Sequence, residues 1–236
     1  MNLAFLADGD PSKGIGHLVR ALSLALELSS EQEIAFFSAS DSGLVRKIEA
    51  QLRPFYPEAK IQIKNSPALA GSWEESAAVA FALLEGSTYS ALIIDGKYPW
   101  GPERLGTLRE KGKVVLIDYF LGEGESCDAL LFPTNHADLE RVSEWEKRQP
   151  VYHGIPYTWL HPEVRRLSQA RVPAEQRARV LVTMGGADPK NRTQEAIEWL
   201  NCLGVREIDV VVGPANKFGQ EIRQAMENIG SQARCI

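Results

Sequence analysis

Leu3-Ala4-Phe5-Leu6-Ala7-Asp8-Gly9-Asp10-Pro11-Ser12-Lys13-Gly14-Ile15-Gly16-His17-Leu18-Val19-Arg20 runs from an apolar segment through a glycine-bearing turn into the start of an amphipathic helix. The segment Leu3–Ala7 has no polar residue, as expected of a strand covered on both faces. Beyond the turn, Leu18, Leu22, Ala25 and Leu26 return at the helical spacing and define one buried stripe. A buried strand that passes through a tight loop into a helix is the opening of a βα unit, and the rest of the chain repeats it.

Further apolar runs at Ile34–Ser38, Ile61–Lys64, Ala91–Asp95, Val114–Asp118 and Ala129–Phe132 alternate with helical patterns. Ser72-Trp73-Glu74-Glu75 fits a capping box ahead of Ala77–Leu84. Pro102 and Gly112 mark the two ends of another helix, and Asp41 or Ser42 caps a helix over Leu44–Leu52. Parallel strands require crossovers, and a helix in each crossover covers one face of the sheet. The pattern therefore predicts an α/β fold with a doubly wound, Rossmann-like parallel sheet over residues 1–160.

After Val151 the pattern changes. Arg165 to Arg179 carries five arginines and Pro173, which reads as a linker over 161–178 with a solvated charged face. A second βα series over 179–236 begins with Val180–Thr183, a helix over Thr193–Leu203 and Ile208–Val212. It continues with a helix over Phe218–Ile229 and a last strand at Ala233–Ile236. A doubly wound domain usually has about five or six strands, so this C-terminal Rossmann-like unit reads as an incomplete one. An unfinished sheet leaves an exposed edge, through which self-association is expected.

The chain has 236 residues, with 26 basic and 31 acidic side chains and a formal charge of −5. With 44% hydrophobic and 24% charged residues it has the balance of a globular protein. No dense basic stripe points to nucleic acid or an anionic membrane. Cys127, Cys202 and Cys235 are far apart and form no CxxC pair, which argues against a disulfide framework or a zinc knuckle. No apolar stretch approaches the roughly 20 residues of a membrane span. A cytoplasmic protein with no cofactor and no metal is the expectation.

The turn between residues 8 and 17 is the strongest candidate for chemistry. Gly14 and Gly16 let the backbone turn tightly and come close to a ligand. The dinucleotide fingerprint is absent, because Val19 stands at its last position and the second strand ends in Ser38 rather than a carboxylate. The P-loop Gly-Lys-Ser/Thr is absent too. In their place stands His17 at a helix N-terminus, where the helix dipole works against a positive charge and suits a residue that accepts a proton, although a histidine there could also merely cap its helix. Asp95 and Asp118 end their strands as Asp8 does, so the three acids are expected at one crevice. Each could hold a sugar hydroxyl or a water, or satisfy loop N–H groups. Tyr98 and Tyr119, just beyond, could stack on a sugar or cover the core. In the second series, Gly185-Gly186-Ala187-Asp188-Pro189-Lys190-Asn191 could cradle a phosphate, or be a plain turn with Asn191 as helix cap. His136, His153 and His161 share no metal-ligand spacing.

Taken together, Asp8-Gly9, Gly14-Ile15-Gly16-His17-Leu18-Val19-Arg20, Gly154-Ile155-Pro156-Tyr157 and Val182-Thr183-Met184-Gly185-Gly186-Ala187-Asp188-Pro189-Lys190-Asn191-Arg192-Thr193 resemble the UDP-sugar hydrolases of pseudaminic acid biosynthesis. They are similar as well to spore-coat polysaccharide biosynthesis proteins of glycosyltransferase type. The resemblance implies two Rossmann-like domains of the glycosyltransferase B type, with the nucleotide held mainly by the C-terminal one. It implies metal-independent hydrolysis of a UDP-sugar carrying an amino or deoxy sugar, with release of UDP. His17 would be the catalytic base, with Asp8, Gly14, Gly16, Arg20, Asp95, Tyr98 and Tyr157 around the sugar. Gly185, Gly186, Asp188 and Asn191 would lie at the diphosphate. Asp95-Gly96-Lys97-Tyr98 is one residue longer than the family's Asp-x-Tyr, Asp118-Tyr119 replaces a pair of aspartates, and His161 stands where an arginine is usual. The family's later glycine-rich segment and acidic ribose-binding residue would fall beyond Ile236. A glycosyltransferase and a noncatalytic sugar-nucleotide-binding protein are the alternatives.

Overall fold

The computed structural model describes residues 2–10, 14–67, 72–133, 139–168, 179–185, 188, 190–213, 216–228 and 234–235. The chain divides into two compact units, Met1–Arg165 and Arg166–Ile236.

The first unit is a parallel sheet of β1 (Leu3–Ala7), β2 (Ile34–Ser38), β3 (Ile61–Asn65), β4 (Ala91–Asp95), β5 (Lys113–Ile117), β6 (Ala129–Phe132) and β7 (Val151–His153). Its helices are α1 (Gly16–Leu28), α2 (Ser42–Leu52), α3 (Trp73–Glu85), α4 (Gly101–Lys111) and α5 (Leu139–Trp145), and α6 (Pro162–Ser168) spans the division between the units. The strand order is β3-β2-β1-β4-β5-β6-β7, so the direction of winding reverses between β1 and β4. In a doubly wound sheet the crevice beyond the carboxyl ends of the strands at such a reversal is where ligands bind.

The pleat of β1 shows how one strand serves two cores. Leu3, Phe5 and Ala7 face Leu18, Leu22 and Leu26 of α1 and Val45 and Ile48 of α2. Ala4 and Leu6 face the opposite layer, with Ala77, Ala80 and Leu84 of α3 and Leu105 and Leu108 of α4. Both faces are covered, which explains the unbroken apolar run in the sequence. The helix ends agree in detail. Asp41 accepts the N–H of Leu44 at the start of α2, and Ser72 accepts that of Glu75 at the start of α3.

Two features differ from the sequence reading. Val151–His153, where no strand was expected, adds a seventh, edge strand paired in parallel with β6. Val114–Asp118, expected as a strand, ends one residue early, because Asp118 turns into the left-handed region at φ 57°. Of the expected linker 161–178, the described part holds α6.

The second unit has β8 (Val180–Thr183), α7 (Arg192–Cys202), β9 (Ile208–Val211), α8 (Gly219–Glu227) and β10 (Arg234–Cys235). Its sheet has three parallel strands among the described residues, in the order β10-β9-β8. Ile197 and Leu200 of α7 and Ile222 and Met226 of α8 close on Val182, Ile208 and Val210. Among the described residues no helix is long and apolar enough to cross a membrane.

Candidate active site

His17 lies in the first turn of α1, after β1, and Asp95 is the last residue of β4, so the two flank the reversal point of the sheet. Their side chains meet. His17 Nδ1 is 2.7 Å from Asp95 Oδ1. A carboxylate only accepts, so the Nδ1–H donates and the lone pair is left on Nε2. Among the described residues Nε2 makes no hydrogen bond. Asp95 is also gripped from the other side by Arg20, one turn along the same helix, with Nε on Oδ2 at 2.6 Å and Nη2 on Oδ1 at 2.7 Å.

This arrangement follows from helix geometry and burial. Residues three apart on α1 point the same way, which lets His17 and Arg20 share one acceptor. The Asp95 side chain is fully buried, while those of Arg20 and His17 keep 22% and 15% of their exposure. A carboxylate without solvent is tolerated only when paired and hydrogen-bonded, and a planar bidentate guanidinium is the strongest such partner. Burial works to lower the Arg20 pKa, and the Asp95 and Asp118 carboxylates outweigh it, so it stands above its ordinary value.

The structure places the other expected residues as follows. Asp95, expected as a sugar ligand, has both oxygens engaged by His17 and Arg20. Arg20, expected to touch substrate, pairs with Asp95 and keeps part of its side chain exposed. Asp8 is fully buried, and its Oδ1 accepts from Ser38 Oγ at 2.9 Å, from the Ala39 N–H and from Ser40 Oγ at 3.3 Å. It ties the end of β1 to the residues that end and follow β2. Tyr98 is also fully buried and packs with Trp73 and Trp100 in the core. Burial and the nearby Asp8 charge push its phenol well above the usual range. Tyr119 likewise turns inward, its hydroxyl donating to the Glu125 carboxylate at 3.0 Å.

The carboxylate that stays accessible is Asp118, whose side chain is 32% exposed and lies 3.6 Å from Arg20 Nη2. Tyr157, 45% exposed, lines an open cavity of about 260 Å³ together with Arg20, Ile117, Leu131, Pro133 and Trp159. In the loop itself, Gly14 is left-handed at φ 80°, and Gly16 has open space where a side chain would be. The close approach falls on Gly9, where a Cβ would lie 3.0 Å from both the Gly14 carbonyl oxygen and the Ile15 Cα. α1 has no acidic residue in its first turn and no side-chain cap.

In the second unit the loop before α7 contains Gly185 at φ 74°, Asp188 at 40° and Asn191 at 52°, all left-handed. Asn191, expected either at a diphosphate or as the helix cap, makes no side-chain cap bond and donates to Gln194. The cap is Asp188, which accepts the N–H groups of Arg192 and Thr193, each at 2.9 Å. Gly186 and His136 lie outside the described residues. Among the described residues no group of three or more histidine, cysteine or acidic side chains is arranged to hold a metal ion.

No family model matches the chain. It is distantly related to the spore coat polysaccharide biosynthesis protein SpsG of Bacillus subtilis, with 22% identity over 96% of its length. An uncharacterized protein of Methanocaldococcus jannaschii matches with 23% identity, again over 96%. The chain spans 64% and 46% of these proteins, respectively. Among solved structures it is similar to the UDP-GlcNAc 2-epimerase of Neisseria meningitidis bound to UDP-GlcNAc, at TM-score 0.55 and 11% identity, covering all of this chain and 72% of that one. Anabaena HepE, in complex with UDP and glucose, matches at 0.53 and 12%, with 69% of its chain covered. A transferase of Siraitia grosvenorii in complex with UDP matches at 0.52 and 12%, with 72% covered. These likenesses establish the fold class, α/β with Rossmann-like units of the glycosyltransferase B type.

Proposed function

We propose that the chain acts on a UDP-sugar in surface polysaccharide or nonulosonic acid biosynthesis, and that it hydrolyses its substrate with His17 as general base. The observation that carries the reading is the 2.7 Å contact of His17 Nδ1 with a buried Asp95 that Arg20 holds in place. A carboxylate on Nδ1–H fixes the tautomer and stabilises the imidazolium formed when Nε2 takes a proton. In the proposed step Nε2 accepts a proton from water as its oxygen bonds to the anomeric carbon. The bond from that carbon to the diphosphate oxygen breaks, and UDP leaves with the electron pair. The open first turn of α1 is suited to the negative charge of a diphosphate.

The choice of substrate class is supported by SpsG and by the UDP-bound structures of similar fold. Asp118 and Tyr157, the accessible polar residues near Arg20, are the proposed sugar contacts. Gly14 and Gly16 give the ligand access to the loop backbone. Asp188 shapes the second loop instead of touching the diphosphate, because its carboxylate already fills the start of α7.

A glycosyltransferase is the second reading, favoured by the open cavity beside Arg20, which has room for an acceptor. Incubation with a panel of UDP-sugars separates the two. Hydrolysis predicts UDP release with no acceptor present and none with His17→Ala, whereas transfer predicts release only when an acceptor is added.

A further inference from the structure

A single hydrogen bond at Nδ1 fixes one corner of an imidazole and leaves the ring able to swing about its two side-chain torsions. A second restraint is present at His17. Trp73, in the first turn of α3, stands edge-on to the imidazole, with ring centroids 5.8 Å apart and planes at 84°. Behind Trp73 lies Tyr98, again edge-on at 5.0 Å and 79°, and Tyr98 rests on Trp100 at 4.9 Å. Tyr98 and Trp100 are buried, so the row of rings has no room to retreat.

The row closes over Gly96, the residue after Asp95. A Cβ on Gly96 would lie 2.6 Å from Tyr98 Cε2 and 2.9 Å from Trp73 Cζ3. Both rings therefore occupy the space that any other side chain at 96 would take. The Asp95-Gly96-Lys97-Tyr98 turn thus does two things at once. It delivers Asp95 to His17, and it clears the ground for the aromatic ring that flanks His17.

We propose that Trp73 is a positioning residue, which keeps the His17 imidazole against Asp95, and that Gly96 provides the clearance for it. The activity consequences rest on the reading of His17 as the base, and the geometric ones do not. The test is nuclear magnetic resonance of the histidine side chains in the full chain, with His17→Ala identifying the His17 signals. The hydrogen-bonded Nδ1–H resonance is expected in the parent, retained in Trp73→Phe, and lost or exchange-broadened in Trp73→Leu and Gly96→Ala. With any UDP-sugar that the parent turns over, Trp73→Leu is expected to lower kcat by about tenfold to a hundredfold with little change in KM, and Trp73→Phe to restore most of it. An unchanged Nδ1–H signal in Trp73→Leu, or an unchanged kcat, overturns the proposal. If Gly96→Ala does not fold, Trp73→Leu and Trp73→Phe decide it. A parent that turns over no UDP-sugar refutes the proposed function, while the resonance result still decides whether Trp73 positions His17.

Discussion

The connections that lead into α1 in the first unit and into α7 in the second both carry glycines in the sequence and differ in what fills the helix start. At α1 the first turn carries no acid and no side-chain cap, and its side chains, His17 and Arg20, reach back to Asp95. At α7 the buried Asp188 carboxylate takes the N–H groups of Arg192 and Thr193. A helix N-terminus attracts negative charge through those same N–H groups. A carboxylate already bound there stabilises the helix and opposes a phosphate. A glycine turn ahead of a helix is thus only half of an anion site, and the side chain in the first turn decides the other half.

The largest expected effect breaks the first connection. His17→Ala should lower turnover by about 10²–10⁴-fold, the usual contribution of a general base, with the unfolding temperature close to the parent's. Arg20→Ala should act on stability instead. It leaves the buried Asp95 carboxylate without its cation, and losing one partner of a buried pair costs about 3–5 kcal/mol, measurable by urea titration. Adding Asp95→Asn to Arg20→Ala should recover part of that loss, because the stranded charge is gone.

The second connection is expected to respond more gently. Asp188→Ala removes a cap worth about 1 kcal/mol to the second unit. Burial works to raise the Asp188 carboxyl, and the N–H donors of Thr193 and Arg192 outweigh it, holding it below the usual carboxylate range. A group with a depressed folded pKa stabilises above its unfolded value, about 4, and that stability is lost as pH falls through the folded value. Acid unfolding of the second unit below about pH 4 should therefore flatten in Asp188→Asn. Calorimetric titration with UDP sharpens the comparison, since Asp188→Asn should bind at least as tightly as the parent if the carboxylate opposes the diphosphate. The smallest effect concerns Asp118, whose φ of 57° suits glycine better. Asp118→Gly should raise stability by about 0.5–1 kcal/mol while weakening binding of the sugar.

Much of the frame was legible in the sequence, because strands covered on both faces must be apolar, and β1 is throughout, as are β4 up to Asp95 and β5 after Lys113. β7 was not, since Val151-Tyr152-His153 is a short edge strand whose middle side chain is 45% exposed. His17 stood out through its glycines, but its partner did not. The contact with Asp95 spans 78 residues and follows from the placing of β1 beside β4, which no local pattern reports. Tyr98 could be read as stacking on a sugar or covering the core, and it lies fully buried in the core. Asp188 did not stand out as a cap, because its carboxylate reaches the N–H groups of Arg192 and Thr193 only through the left-handed residues of that loop.

The most direct test of the central claim is hydrolysis of a UDP-sugar by the 236-residue chain in water enriched in oxygen-18, followed by mass spectrometry of both products. Attack by a water deprotonated at His17 on the anomeric carbon predicts the label in the sugar's anomeric hydroxyl, none in UDP, and no labelled product with His17→Ala. Label in the phosphate of UDP, or the same labelled sugar from His17→Ala, would contradict the account.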